Sequence, residues 1–120
     1  MRAERGLGLV DGRGLALAVA RPDIRAAALR DEHAAVAGTD AALVETLVVP
    51  RLPGASFLYR HDAAAVAALV DKGAASAAIL CSPVTVADTR AAAIDRVKMP
   101  QKTTFFWPKP RTGMVFRTLD

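Results

Sequence analysis

Apolar residues near the start of the chain form two short runs on either side of a turn sequence. The segment LGLVDGRGLALAV, residues 7–19, places leucine, valine and alanine around Asp11-Gly12 and Gly14. Glycine adopts the positive φ angles that tight hairpin turns require. The pattern therefore predicts an N-terminal β-hairpin.

Two helices are predicted to follow the hairpin. In RPDIRAAALRDEHAAVAG, Pro22 suits a first helical turn, the alanine-rich centre favours helix, and Gly38 can end it. In TDAALVETLVVPRLPG, Thr39 or Asp40 is the expected N-cap and Pro50 the expected stop.

Two strand–helix units come next in the pattern. ASFLYRHDAAAVAALVDKG predicts a strand over Phe57–Arg60, an Asp62 cap and a helix that ends at Gly73. SAAILCSPVTVADTRAAAIDRV predicts a strand over Ala77–Cys81 and a helix from about Thr85 to Val97, which opens with a capping-box pattern. Alternation of strand and helix at this spacing favours parallel pairing with right-handed crossovers.

The segment MPQKTTFFWPKPRTGMVFR, residues 99–117, is not expected to be helical because it contains three prolines. TTFFW, residues 103–107, and GMVFR, residues 113–117, are β-prone and predict a C-terminal strand pair. With 120 residues, one domain over 1–120 is expected. We therefore expect an α/β or α+β fold, in which the hairpin, the two strand–helix units and the strand pair form one mixed sheet with helices packed on it.

Composition limits the compartment and the kind of core. Of the apolar residues, 26 are alanine, which buries little area, so the core depends on fewer, larger side chains. No apolar run approaches the roughly 18 residues that span a bilayer, and the polar, glycine-rich start does not resemble a signal peptide. The single cysteine, Cys81, excludes an internal disulfide. These features predict a cytoplasmic protein without a membrane partner.

The net charge of +4 arises at one end of the sequence. Residues 96–119, here called the basic tail, contain six lysine and arginine residues and no acidic residue, whereas residues 1–95 are nearly balanced. Such a segment attracts anions. The same segment holds four of the six aromatic residues: Phe105, Phe106, Trp107 and Phe116.

The basic tail supplies the candidate ligand-binding residues. Lys102 and Lys109 offer ammonium groups, and Arg111 can make a bidentate contact with phosphate or carboxylate. Thr103 and Thr104 offer hydroxyl groups to the same anion. The alternative interpretation is a solvated edge strand whose lysines discourage aggregation.

Two further stretches could carry chemistry. His61 lies at a predicted strand–helix junction and could act as an acid or base oriented by Asp62, although Asp62 could equally be only a helix cap. Cys81 could be a nucleophile if its pKa were lowered, but a lone cysteine on an apolar strand is more typical of packing. His33, His61 and Cys81 show no metal-ligand spacing, so no metal site is expected. Whether the chain is an enzyme, and with which cofactor, stays open.

The tail sequence is similar to a signature near the C-terminus of a bacterial and archaeal family, the domain-of-unknown-function family 1015. That signature resembles Met-Pro-x-Lys-Ser/Thr-Thr-x-Phe-x-Pro-Lys followed by Thr/Ser-Gly. The YRHD strand and the strand–Pro–helix unit also fall in the family's order. The matching residues are Met99, Pro100, Lys102, Thr103, Thr104, Phe106, Pro108, Lys109, Thr112 and Gly113.

The resemblance implies more than a site. Family members are several-fold longer, so the chain resembles only their C-terminal portion, and this chain has Glu45 in the helix where some members have a histidine. Some members are labelled as similar to the ParB/sulfiredoxin superfamily, which implies phosphate chemistry.

Three functions follow as hypotheses. The first is binding of a phosphate-bearing small molecule or nucleotide by the basic tail. The second is a single-stranded nucleic-acid-binding module, since basic and aromatic residues alternate there. The third is a non-catalytic subunit that completes a larger protein, as a homo-oligomer or with a partner that carries the N-terminal half.

Overall fold

The computed structural model describes residues 6–105 and residue 108. The mixed helix-and-strand class expected from the sequence is confirmed. No helix in these residues is both long enough and apolar enough to cross a membrane. In chain order the elements are β1 (Leu7–Asp11), β2 (Gly14–Ala18), α1 (Pro22–Ala28), α2 (Ala34–Ala37), α3 (Asp40–Leu43), a π-helical segment (Val44–Val48), a 3-10 turn (Val49–Arg51), α4 (Ala63–Asp71), β3 (Ala77–Leu80) and α5 (Val86–Ile94).

The predicted N-terminal hairpin is confirmed. β1 and β2 pair antiparallel from Leu7 opposite Ala18 to Asp11 opposite Gly14, so a two-residue loop joins them. Gly14 adopts a φ of +131°. The Asp11 carboxylate accepts hydrogen bonds from the backbone N–H of Arg13 at 2.8 Å and from its guanidinium at 3.0 Å. These bonds, the backbone one foremost, hold the pKa of Asp11 below its ordinary value and fix the turn.

The sheet has the order β2-β1-β3, and β3 pairs antiparallel with β1, with Leu9 opposite Ile79. The predicted parallel pairing is therefore wrong for the described strands, and their sheet is antiparallel rather than mixed. The physical reason is that α4 does not connect two neighbouring strands, because the segment before α4 does not join the sheet. β3 pairs instead with the free side of β1, in the opposite direction.

The predicted strand Phe57–Arg60 is not formed. A strand is stable only where its backbone groups find a partner, and this segment has no ladder partner among the residues that the structure describes. Its side chains are exposed: 37% for Phe57, 62% for Leu58 and 42% for Tyr59. Residues 103–105 also lie outside any strand, and the rest of the predicted C-terminal strand pair lies outside the described residues.

The helix predicted between Pro22 and Gly38 is two helices. α1 ends at Ala28 and α2 begins at Ala34. His33 explains the second start, since its Nδ1 accepts a hydrogen bond from the backbone N–H of Ala35 at 3.2 Å. The prediction of one helix is wrong here because a side-chain cap inside the run starts a new helix.

The next helical run, residues 40–51, begins as expected with Thr39, whose Oγ1 accepts from the N–H of Ala42 at 3.2 Å. It continues through the π-helical segment and ends in the 3-10 turn. Pro50 has no N–H to give the carbonyl groups of the preceding turn. The guanidinium of Arg51 donates to the Leu47 carbonyl at 2.7 Å and so supplies the helix end with a donor.

The predicted caps of α4 and α5 are confirmed. Asp62 Oδ1 accepts from the N–H groups of Ala64 and Ala65 at 2.9 and 3.3 Å. Thr85 and Asp88 form a complete capping box at the start of α5. Each of these caps contributes about 1 kcal/mol to helix stability.

The core is small and is shared by most elements. α4 packs on β3 and β1, α5 packs on α2, and α1 packs on the π-helical segment. Burial of these contacts supplies the main stabilising free energy of the fold. Among the described residues, the buried apolar side chains are Leu7, Val36, Ala42, Leu43, Val70, Ala78 and Ala92.

Two glycines after helices give a matched test of backbone conformation. Gly73, after α4, has a φ of +70°, whereas Gly38, after α2, has a φ of −75°, and a Cβ at either position would meet open space. We expect Gly73→Ala to lower the free energy of unfolding by about 1–2 kcal/mol, because only glycine adopts the left-handed region without strain. Gly38→Ala should be neutral or stabilising by up to about 1 kcal/mol. Urea unfolding of both variants measures this, and equal losses would contradict the assigned geometry.

Candidate functional site

Three residues of the predicted anion site lie in the described part of the basic tail. Lys102 is exposed and has a φ of +60°, a conformation that costs a non-glycine residue about 1–2 kcal/mol. Thr103 is half-buried, and its hydroxyl donates to the carbonyl of Pro100, which closes the turn before it. Thr104 is exposed. The other two predicted contacts, Lys109 and Arg111, lie outside the described residues.

The start of the tail packs against a second candidate stretch. The rings of His61 and Phe105 are stacked, with centroids 4.1 Å apart and planes within 3° of parallel. His61 directly precedes the Asp62 cap, so the contact places the tail at the entry of α4. Sequence reasoning identified His61 and the tail separately. No sequence signal could have paired them, because the contact joins distant parts of the chain.

Asp62 is engaged by α4 rather than by His61. Its Oδ1 accepts from two backbone N–H groups of the helix, and the printed hydrogen bonds of the described residues include none between the side chains of His61 and Asp62. The carboxylate also places a negative charge at the positive end of the helix dipole. The geometry therefore gives Asp62 the role of a cap, while an acid–base role for His61 stays a prediction.

A buried polar contact that sequence reasoning missed lies between the start of α3 and the end of β3. Thr39 and Asp40 are 3% and 4% exposed. Asp40 Oδ2 accepts a hydrogen bond of 2.8 Å from the backbone N–H of Ser82. A cavity of about 10 Å³, close to the volume needed for one water molecule, lies beside this contact. Its lining consists of Thr39, Asp40, Ser82, Pro83, Val84 and Asp88.

Cys81 lies next to this contact, and its environment disfavours the thiolate. Desolvation by the surrounding protein, followed by the negative charge of Asp40, raises the pKa of the Cys81 thiol. The side chain is exposed, so it is reachable by reagents. A nucleophilic cysteine requires a lowered pKa. The structure therefore gives Cys81 the opposite of the property that the nucleophile hypothesis needs.

His33 has two partners for one nitrogen. Its Nδ1 accepts from the N–H of Ala35 at 3.2 Å and lies 3.9 Å from the Asp95 carboxylate. An acceptor nitrogen carries no proton, so the cap is formed by the neutral ring with its proton on Nε2. Within the described residues, no group of three or more histidine, cysteine, aspartate or glutamate side chains could hold a metal ion.

A shallow groove of about 250 Å³ lies between α1 and the helical run of residues 40–51. Arg51 contributes a guanidinium, although one of its nitrogens is already bonded to the Leu47 carbonyl. Pockets that bind small molecules combine an apolar lining with several convergent polar groups. This groove offers mainly small apolar side chains, so it is a weaker candidate than the tail. Its lining consists of Ile24, Ala27, Ala28, Thr46, Leu47 and Arg51.

Comparison of the chain with family models, curated proteins and solved structures finds no match. The resemblance to the domain-of-unknown-function family 1015 therefore stays a prediction that rests on the tail residues.

The contact between Asp40 and the β3 end predicts a change in thiol reactivity. Asp40→Asn removes the negative charge near Cys81 but keeps an oxygen that can accept from the Ser82 N–H. We expect the pKa of Cys81 to fall towards its ordinary value without reaching it, because desolvation is the larger cause and persists. At pH 8 the thiolate fraction, and hence the rate of alkylation by iodoacetamide, should rise.

The measurement is the alkylation rate of the folded protein from pH 7 to 10. Asp23→Asn is the matched control, because Asp23 is an exposed carboxylate paired with Arg21. A rate profile that is the same for wild type and Asp40→Asn would contradict the electrostatic link.

Proposed function

We propose that this chain is a cytoplasmic module that binds a phosphate-bearing small molecule or nucleotide through its basic tail. The observation that carries the proposal is the stacked pair of His61 and Phe105, which brings an aromatic surface and the start of the tail together at the entry of α4. A ligand with both a flat ring and a phosphate group fits this combination.

The ring pair supports the aromatic half of the proposal. Phe105 is 58% exposed although one face of its ring is covered by His61, and His61 is itself exposed. A pre-stacked pair presents a flat apolar surface without a further ordering cost for either side chain. Nucleobases stack on such rings with about 1–3 kcal/mol per base.

The lysine next to the ring pair supports the anionic half. Lys102 is exposed, and the strained backbone at this residue directs its side chain by local geometry rather than by packing. Strained backbone of this kind clusters at functional sites. Sequence adds Lys109 and Arg111 as charge contacts and Thr103 and Thr104 as hydroxyl donors to the same ligand.

The helix end does not supply the anion site. The first free N–H groups of α4 already bond to the Asp62 carboxylate, which occupies the place that a bound phosphate would take at a helix N-terminus. Binding should therefore depend on the side chains of the tail. This makes the proposal testable by substitutions that leave α4 untouched.

The test is a thermal melt of the full chain with ATP, ADP, pyrophosphate, phosphoserine and a short single-stranded oligonucleotide. We expect one phosphate ligand to raise the Tm, and Lys102→Ala and the double variant Lys109→Ala/Arg111→Ala each to weaken binding at least tenfold in calorimetry. Loss of one charge-assisted contact of about 1.5–3 kcal/mol gives an effect of this size. Lys72→Ala is the control, since Lys72 caps the opposite end of α4.

Phe105→Ala separates the two halves of the site. It should weaken nucleotide binding while binding of pyrophosphate, which has no ring, stays unchanged. If Lys72→Ala weakens binding as much as Lys102→Ala, the tail is not the site. If only the oligonucleotide binds, and its affinity falls steeply with salt, the chain is a nucleic-acid-binding module instead.

A second function is favoured by a different observation. The segment at residues 55–60 is β-prone, lacks a ladder partner among the described residues and exposes Phe57, Leu58 and Tyr59. Consecutive exposed apolar residues of this kind mark interaction surfaces. The segment fits a non-catalytic subunit that pairs with the N-terminal portion implied by the family resemblance.

Coexpression with the N-terminal portion of a longer member of the resembled family tests this second function. We expect a 1:1 complex in which amide hydrogens of residues 55–60 become protected from exchange. Leu58→Lys should weaken the complex at least tenfold, whereas Val86→Lys, on an equally accessible residue of α5, should not. A complex that leaves residues 55–60 unprotected would contradict this role.

A further inference from the structure

The outer edge of β2 carries none of the features that keep edge strands apart. Natural proteins protect such edges with charged residues, prolines, bulges or very short strands. β2 has five residues, glycine, leucine and alanine only, and four of the five are exposed. Leu15 is 73% exposed, Leu17 is 68% exposed and the following Val19 is 45% exposed.

Backbone groups of this edge point outward at defined positions. Because a two-residue loop joins β1 and β2, the flanking residues Asp11 and Gly14 form a hydrogen-bonded pair. Strand alternation then directs the N–H and C=O groups of Leu15 and Leu17 away from β1. The leucine side chains share one face of the sheet, since they are two residues apart.

The opposite edge of the sheet is protected in a way that β2 is not. β3 has only four residues, and it ends before Ser82-Pro83. The N–H of Ser82 is already bonded to Asp40. An added strand could therefore extend the sheet far more readily at β2.

We propose that the β2 edge is the interface of a homodimer, in which β2 pairs antiparallel with β2 of a second copy about a two-fold axis at Ala16. The proposal is independent of ligand binding by the basic tail. This register pairs the whole strand. Leu15 lies opposite Leu17 of the partner subunit, and Gly14 lies opposite Ala18 of the partner subunit. The result is one continuous six-stranded antiparallel sheet with four leucines together on one face.

Charge favours a second copy as the occupant. β2 itself is neutral, so self-pairing places no like charges opposite each other, which is the usual obstacle between identical edges. The cations that flank the strand are compensated within the chain: Arg13 pairs with Asp11 at 3.0 Å and Arg21 with Asp23 at 3.7 Å. A two-fold contact of identical patches is also the commonest form of assembly.

Size predicts a reversible dimer. Stable complexes bury about 1,200–2,000 Å² in total, and a seam of five residues on each side is small by that measure. We therefore expect monomer and dimer to exchange with concentration.

Sedimentation velocity over a hundredfold range of concentration tests the assembly. We expect a monomer–dimer equilibrium in the wild-type chain and at least tenfold weaker dimerisation in Leu15→Lys/Leu17→Lys. The monomer should fold normally, because both side chains are exposed. Leu58→Lys is the matched control, since Leu58 is 62% exposed but lies outside the sheet. A chain that stays monomeric, or a dimer that the double variant leaves intact, overturns the proposal.

Cysteine crosslinking tests the register in a Cys81→Ser background. Ala16→Cys should form an intermolecular disulfide, because a non-hydrogen-bonded pair at the two-fold axis has Cα atoms about 4.5 Å apart, within the disulfide range. Leu15→Cys should not, because its like residue in the partner subunit would lie two residues away, more than about 7 Å. Crosslinking of Leu15→Cys without Ala16→Cys overturns this register.

Discussion

The buried carboxylate of Asp40 is the contact on which the arrangement of the helices about the sheet depends. Taking a charged group out of water costs several kcal/mol unless hydrogen bonds and local charge compensate. Asp40 receives the N–H of Ser82 and lies in the first turn of a helical run, where the helix dipole favours negative charge. The adjacent Thr39 hydroxyl also donates to the Val36 carbonyl at 2.8 Å. The start of α3 is thereby held at the end of β3.

This contact and the central strand together explain why the core can be so small. β1 is bonded on both sides, so its backbone is satisfied without any helix. The helices then need to cover only part of the sheet, and the alanine-rich sequence gives them little bulk with which to cover more. Large apolar side chains consequently remain on the surface at β2 and before α4. Exposed apolar area in this protein follows from its composition as much as from any need for partners.

Local features could be predicted from the sequence because their causes lie within a few residues. The hairpin turn at Asp11, and the caps by Thr39, Asp62 and Thr85, each depend on hydrogen bonds between near neighbours. The split of the first predicted helix was missed because histidine is an uncommon cap, and His33 lies inside a run that otherwise favours helix.

Long-range choices could not be predicted in this way. Nothing in SAAIL states that the strand will pair with β1 in the antiparallel direction, and FLYR has strand propensity without a strand. The two contacts that define the candidate sites, His61 with Phe105 and Asp40 with Ser82, join residues that are distant in the chain. Residue type indicated the basic tail as a site, but only the fold shows what lies beside its first residues.

The π-helical segment at Val44–Val48 has a consequence for how this chain can tolerate changes of length. A π turn holds one more residue than an α turn, and here the Thr46 hydroxyl donates to the Ala42 carbonyl at 2.8 Å where the helix widens. Deletion of one residue would let the segment revert to plain α-helix at little cost. Everything after it would then rotate by about 100° about the helix axis. The groove wall that includes Arg51 is thus fixed by a single residue of length rather than by the identity of any side chain in it.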